Sequence, residues 1–130
     1  MFFVRTNKKE EFVDITDRIK QIVRESKVKN GICFIYVAHT TAALIINENA
    51  DPNICSDILE SLSNLVPKGK WRHDTIDNNG DAHIKASVMG TSQFVPIKNS
   101  ALELGKWQNI FLCEFDGPRE RKVIVNLIKS

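Results

Sequence analysis

Three polar residues, His39-Thr40-Thr41, interrupt what is otherwise one long apolar stretch, and no other feature limits the fold of this chain as much. Ile32 to Ala38 is continuously apolar and carries Ile, Phe, Ile, Tyr and Val. It reads as a strand, and the lack of polar alternation predicts that both of its faces are covered. Ala42 to Ile46 reads as a second strand. The polar triplet therefore lies at the rim of two strands, a place where a rigid scaffold presents side chains to a ligand.

The remainder supplies short strands and helices. Phe2 to Arg5 and Glu11 to Val13 flank the polar Thr6 to Glu10 and predict a hairpin. Thr16 is placed to cap a helix running to about Ser26, with Ile19, Ile22 and Val23 on one face and Asn30-Gly31 beyond its end. Asp51 followed by Pro52 is an N-cap and first-turn pairing, and Ile54, Ile58, Leu62 and Leu65 continue at helical spacing, so Pro52 to Leu65 is a helix. Pro67 to Asn79 reads as a long ordered loop carrying Trp71, His73 and Asp74. Asp81 to Met89 fits a short helix ended by Gly90, and Ser92 to Ile97 is extended. Trp107 to Phe115 and Lys122 to Ile128 are β-rich runs separated by Asp116-Gly117-Pro118-Arg119. Strand-helix-strand alternations are too few for a doubly wound parallel sheet. The expectation is an α+β fold, two-layered and mostly antiparallel, with three helices in one domain spanning residues 1–130.

Composition narrows function more than fold. With 130 residues, 42% hydrophobic and 26% charged, the chain has the make-up of an ordinary globular protein. A formal charge of +2 gives no support for a nucleic-acid or anionic-membrane partner. No window approaches eighteen apolar residues and Met1 to Val4 lacks the pattern of a signal peptide, so a cytoplasmic protein is expected. Cys33, Cys55 and Cys113 are odd in number, widely spaced and set among apolar neighbours, which predicts buried, reduced thiols.

The chemistry-bearing residues cluster. His39, Thr40 and Thr41 stand at the strand rim, Asn47-Glu48 ends the second strand, and His73 and His83 frame the acidic segment Asp74 to Asp81. Taken singly, each histidine reads first as satisfying a buried hydrogen bond or capping a strand. Together, three neutral imidazoles match three positions of an open zinc site with water in the fourth. Asp77 to Asp81 fails as a calcium loop, because its glycine is fourth rather than sixth and position twelve is Val88. Arg119 and Arg121 share strand parity beside a turn, an arrangement suited to phosphate, with a solvated turn as the alternative. Ser87, one turn after His83, is placed to accept a hydrogen bond from it, and no Gly-rich phosphate loop or serine or cysteine nucleophile motif is present.

His39-Thr40-Thr41-Ala42-Ala43 with Asn47-Glu48, Asp77 to Ala86, Gly90-Thr91-Ser92, Leu104 to Gln108 and Asp116-Gly117-Pro118-Arg119, in that order, resemble the YjbQ-like family over nearly the whole chain. The resemblance implies a two-sheet β-sandwich with helices, assembled as a homotrimer. It also implies a weak thiamine-phosphate synthase activity, a transferase reaction joining an aminopyrimidine diphosphate to a thiazole phosphate with release of diphosphate. Carried over by motif, His39, Asn47, Glu48, His83 and Arg119 would line the family's cleft with Thr40, Thr41 and Ser92, and His73 matches a further histidine. Glu48, His39 and His83 are then the expected catalytic groups, Arg119 and Arg121 the phosphate ligands, and His39, His73 and His83 the ligands of a divalent metal, zinc or magnesium. Two other readings use the same residues: a non-catalytic trimer that binds a metal or phosphorylated metabolite, and a metal-dependent phosphoester hydrolase. Apolar strand surface at Ile32 to Val37 and Ile110 to Phe115 adds to the trimer expectation.

Overall fold

The computed structural model describes all 130 residues. In chain order the elements are β1 (Phe2–Arg5), β2 (Glu11–Asp14), α1 (Thr16–Ser26), β3 (Gly31–Val37), β4 (Ala42–Asn47) and α2 (Pro52–Leu65). A 3-10 turn at Arg72–Thr75 follows, then α3 (Gly80–Met89), β5 (Ser92–Lys98), β6 (Ala101–Leu102), β7 (Asn109–Glu114) and β8 (Glu120–Lys129). The strands form a five-stranded sheet in the order β1-β8-β3-β5-β6 and a three-stranded sheet in the order β2-β7-β4. Every pairing is antiparallel, so the expected α+β, two-sheet architecture with three helices is what the chain adopts.

Two apolar clusters hold the layers together. Cys33, Ile35 and Val37 from β3 meet Ala42 and Leu44 from β4 and Ile110 and Leu112 from β7 between the sheets, with Ile19 and Val23 of α1 packed into the same cluster. The alternate β4 residues Ala43 and Ile45 face the other way, against Phe111, Leu62 of α2 and Ala82 and Ala86 of α3. The middle layer is therefore the small sheet, whose strands are covered on both faces. At roughly 25 cal/mol per Å² of apolar surface removed from water, these two clusters are the main source of stability.

Several expectations are corrected here. β1 and β2 are not a hairpin, because β1 pairs with β8 in the large sheet and β2 with β7 in the small one. The strand covered on both faces is β4 rather than β3, since Ile32 and Tyr36 on the outer side of β3 are exposed. Of the two runs read as excess apolar surface, Ile110 to Phe115 is ordinary buried core, and only the β3 run leaves one uncovered face. Thr16 does not cap α1; it is the first helical residue, and its hydroxyl accepts the Ile110 N–H at 2.8 Å, while Asp14 Oδ1 accepts the Thr16 N–H at 2.9 Å. Asp51 does cap α2, accepting the Asn53 N–H at 2.9 Å with Pro52 directly after it. The loop after α2 includes the 3-10 turn, and Trp107 lies outside β7, on a turn. All three cysteines are free; Cys33 and Cys113 are buried, with the Cys33 thiol pushed up to about 11 by burial, whereas Cys55 is only half-buried.

Candidate functional site

One end of the sandwich opens into a cleft of about 750 Å³ whose walls are almost wholly polar. The β3–β4 connection supplies His39, Thr40 and Thr41; the β7–β8 turn supplies Asp116 and Arg119; the start of α3 supplies Asn79 and His83.

Beneath the cleft lies a charge pair almost wholly withdrawn from water. Glu114 ends β7 with its side chain 0% exposed, and Arg121 near the start of β8 is 2% exposed. Arg121 Nε donates to Glu114 Oε1 at 2.9 Å, and its Nη2 donates to Glu114 Oε2 and to Thr41 Oγ1, the latter at 2.8 Å. Glu114 also accepts from the Thr6 hydroxyl at 2.7 Å and the Asp116 N–H at 3.1 Å. A buried ion pair this fully bonded is tolerated because each charge replaces its lost water with directed partners. Arg121 thus lines the cleft but spends Nε and Nη2 on structure, so the two arginines expected to act alike do not.

Asp116 gathers the next set of contacts. It accepts from Lys9 Nζ at 2.8 Å, Asn79 Nδ2 at 2.8 Å and Arg119 Nη2 at 2.9 Å. Burial works to raise this carboxyl, but the hydrogen bonds from Lys9, Asn79 and Arg119 outweigh it and bring its pKa down to about 2. The Arg119 side chain remains 54% exposed, and its Nε donates to the Asp116 carbonyl at 2.7 Å. The turn is tight. A Cβ on Gly117 would meet the Lys8 carbonyl oxygen and, at 2.9 Å, Thr6 Oγ1.

The histidines divide. His39 Nε2 accepts the Lys122 N–H at 2.8 Å, so the lone pair most used for metals is already engaged and Nδ1 is the nitrogen left for a ligand. Burial, then the positive charge of Arg121, lowers its pKa, which keeps the ring neutral. His73 and His83 meet edge to face with ring centroids 4.6 Å apart, because Asp74 accepts N–H groups from both Trp71 and Gly80 and ties the 3-10 turn to the start of α3. Buried His73 Nε2 has no hydrogen-bond partner and lies 3.6 Å from Asp77 Oδ2. Within one chain no three His, Cys, Asp or Glu groups stand close enough to hold a metal ion. Of the expected donors His39, His73 and His83, the fold brings together only His73 and His83.

Other expected residues lie elsewhere. Asn47 and Glu48 end β4 at the opposite end from Thr41 and line a separate pocket with Ile46, Trp107 and Gln108. Ser92 opens β5 opposite Tyr36, outside the cleft. Ser87 is a donor rather than an acceptor, its hydroxyl bonding the His83 carbonyl at 2.9 Å. Sequence reasoning missed Glu114, Thr6 and Lys9, and also Lys85, a buried lysine of α3 that donates to Asp81 at 3.2 Å and Glu10 at 3.1 Å. One signal was present: a carboxylate closing the apolar run Ile110 to Cys113 with the parity of Leu112 points inward.

A family profile described as UPF0047 protein YjbQ-like matches residues 1–130, and the chain belongs to that family. It is 53% identical over 125 residues to a UPF0047 protein of Methanocaldococcus jannaschii, covering 96% of this chain and 90% of that one. It is 39% identical to the UPF0047 protein YugU of Bacillus subtilis, covering 96% and 95%. A crystal structure from Sulfolobus solfataricus, of a YbjQ-like protein of unknown function, superposes with a TM-score of 0.95 at 43% identity, over 99% of this chain and 94% of that one. One from Clostridium acetobutylicum gives 0.94 at 47% identity over 98% of each. No helix is long and apolar enough to cross a membrane.

Proposed function

Taking membership of the YjbQ-like family as the premise, we propose that the cleft binds a phosphorylated small molecule through Arg119, and that its chemistry is metal-assisted transfer or hydrolysis. The observation that carries this reading is a half-exposed guanidinium, held by Asp116 at the rim of a polar cleft of about 750 Å³. Arg119 can turn toward a phosphate while Lys9 and Asn79 keep Asp116 bonded. A planar guanidinium matches phosphate oxygens two at a time. His39 contributes a neutral ring beside it, with Nδ1 free to donate. A divalent ion, zinc or magnesium, would be held by His73 and His83 of one chain with His39 of a second copy, and would supply neutralisation of the charge on a departing diphosphate. Glu48 takes no part in this cleft within one chain, so no proton is assigned to it. Weak thiamine-phosphate synthase activity is the specific form of the proposal, as the sequence resemblance implies.

The assembly belongs to the same reading. On the outer face of the large sheet, Phe34 stacks on Tyr36 and touches Phe94, and Phe94 and Ile32 remain exposed. Apolar surface of this kind supports a homotrimer in which copies of the chain cover one another. Light scattering at micromolar concentration should return three chain masses; a monomer mass overturns it.

Calorimetric titration tests the site. Inorganic diphosphate, thiazole phosphate and aminopyrimidine diphosphate are titrated, with and without zinc or magnesium, into the wild type and Arg119→Ala. The variant should bind phosphate ligands at least about tenfold more weakly, as expected for loss of a charge-assisted hydrogen bond worth roughly 1.5–3 kcal/mol. Equal affinities, or no binding to either protein, overturn the phosphate reading.

A further inference from the structure

At the far end of the large sheet from the cleft lies a smaller pocket of about 330 Å³, lined by Lys27, Lys29, Asn30, Lys129 and Ser130 and by no apolar side chain. The seven residues of β3 separate the two sites, roughly 20 Å at about 3.3 Å per residue. Its backbone is fixed on every side. The Ser26 hydroxyl donates to the Val23 carbonyl at 2.7 Å and accepts the Val28 N–H at 3.1 Å, which sets the exit from α1. The Lys29 carbonyl accepts the Ser100 N–H at 2.9 Å and the Asn30 carbonyl accepts the Ser130 N–H at 3.2 Å. A Cβ on Gly31 would run into the Ile128 carbonyl, so β3 and β8 close up tightly beside the pocket. The lysines here lack countercharges: Lys9 is paired with Asp116, and Lys85 with Asp81 and Glu10, whereas Lys27, Lys29 and Lys129 form no ion pair. Neither Ser26 to Gly31 nor Asn126 to Ser130 contains an Asp or Glu, which leaves three ammonium groups against the α-carboxylate of Ser130.

The negative end of the α1 dipole accounts for Lys27, which follows the last turn of that helix, but Lys29 and Lys129 answer no helix end. Asn30 Oδ1 is engaged by the Asn99 N–H at 3.4 Å, so the amide presents its N–H donors beside the ammonium groups. Donors gathered from two chain segments around open space, with no aromatic or apolar wall, suit a compact anion carrying several charges. The donor type selects among such anions. A guanidinium fork matches a planar carboxylate two oxygens at a time, whereas an ammonium group is a point charge with three rotatable donors, equally served by the tetrahedral oxygens of phosphate. A single phosphate satisfies part of this set; a chain of phosphates offers charge to all of it at once. We infer that this end of the large sheet binds a linear oligophosphate, triphosphate or longer, through Lys27, Lys29 and Lys129. The site is separate from the Arg119 cleft and needs neither its ligand nor its metal.

The test is a nuclear magnetic resonance titration of the intact protein with inorganic triphosphate, at low salt and with a chelator present to remove divalent ions, using orthophosphate and citrate for comparison. The expected result is saturable shifts at the amides of Lys29, Asn30 and Lys129, with triphosphate bound at least about tenfold more tightly than either comparison anion and less tightly as salt is raised, because exposed charges are screened. The shifts should persist in Arg119→Ala. Lys29→Gln alone, at an exposed position and with its thermal midpoint unchanged, should weaken binding about threefold, and the triple variant Lys27→Gln, Lys29→Gln, Lys129→Gln at least about tenfold, as expected for the loss of one and of three exposed charge contacts. Citrate bound as tightly as triphosphate overturns the proposal, reducing the lysines to a diffuse counter-ion cloud. Shifts that never saturate, or unchanged affinity in Lys29→Gln and the triple variant, also overturn it. So does a response confined to His39 and Arg119, which assigns the anion to the cleft instead.

Discussion

The two ends of β4 are built from similar residue types and treat them in opposite ways. At the Thr41 end the buried charges have partners: Arg121 with Glu114 and Thr41, Asp116 with Lys9, Asn79 and Arg119. At the Asn47 end the carboxylate of Glu48 and the indole of Trp107 are left unbonded at the surface. The difference follows from burial. A carboxylate inside the sandwich must be compensated or the chain does not fold, whereas one at the rim keeps its water and stays available to a ligand. Buried charges at the first end should therefore be read through stability, and the exposed ones, Arg119 there and Glu48 at the second, through what they can bind.

The largest effect expected from that contrast is at the buried pair. Arg121→Met leaves Glu114 without its countercharge and should cost about 3–5 kcal/mol, read as a fall in the denaturation midpoint at unchanged slope. Replacing both residues, as Glu114→Leu with Arg121→Met, should recover most of the loss. A double variant as unstable as the single one would break the view that compensation, rather than the pair itself, is what matters. Next comes the turn over that pair. Gly117→Ala pushes a methyl group toward the Lys8 carbonyl and the Glu114 side chain and should cost about 1–3 kcal/mol as overpacking. An unchanged midpoint would mean that the turn opens freely.

How much of this was legible in the sequence depends on the range of each contact. The Asp51-Pro52 start of α2 and the strands at Ile32 and Ala42 were legible because capping and runs of apolar residues are local signals. The pairing of β1 and β2 was not, since their partners β8 and β7 arrive about a hundred residues later and period-two patterns do not say which sheet a strand joins. The candidate site shows the same limit. His39 and His83 do line one cleft, and His73 does meet His83, yet the bond from the Lys122 N–H to His39 that decides its role spans 83 residues. Arg119 and Arg121 share parity as read, but parity cannot tell that one guanidinium points into Glu114 and the other toward solvent.

Acid sharpens the comparison further. Asp116 has a folded pKa of about 2, below the value of 3.8 for an unperturbed carboxyl, so the unfolded chain takes up its proton first as pH falls. Its contribution to stability is thus complete above about pH 4 and is lost as pH falls toward 2. Denaturant midpoints measured across that window should decline for the wild type and decline less for Asp116→Asn, once the other carboxyls are allowed for by the same series on Glu48→Gln. Parallel curves for the two variants would show that the Lys9, Asn79 and Arg119 contacts do not favour the ionised form.

The smallest expected effect is at the other end of β4, and its smallness is the point. Glu48 has no ion-pair partner, and the bond that fixes its backbone uses its own N–H and the Asn47 side chain, neither of which a change at position 48 removes. Glu48→Ala should therefore shift stability by less than about 0.5 kcal/mol, the usual range for a surface position without caps or buried partners. A loss above about 1 kcal/mol would mean that the carboxylate holds the Trp107 turn in place, and the free charge at this end would then belong to the fold, as Glu114 does at the other.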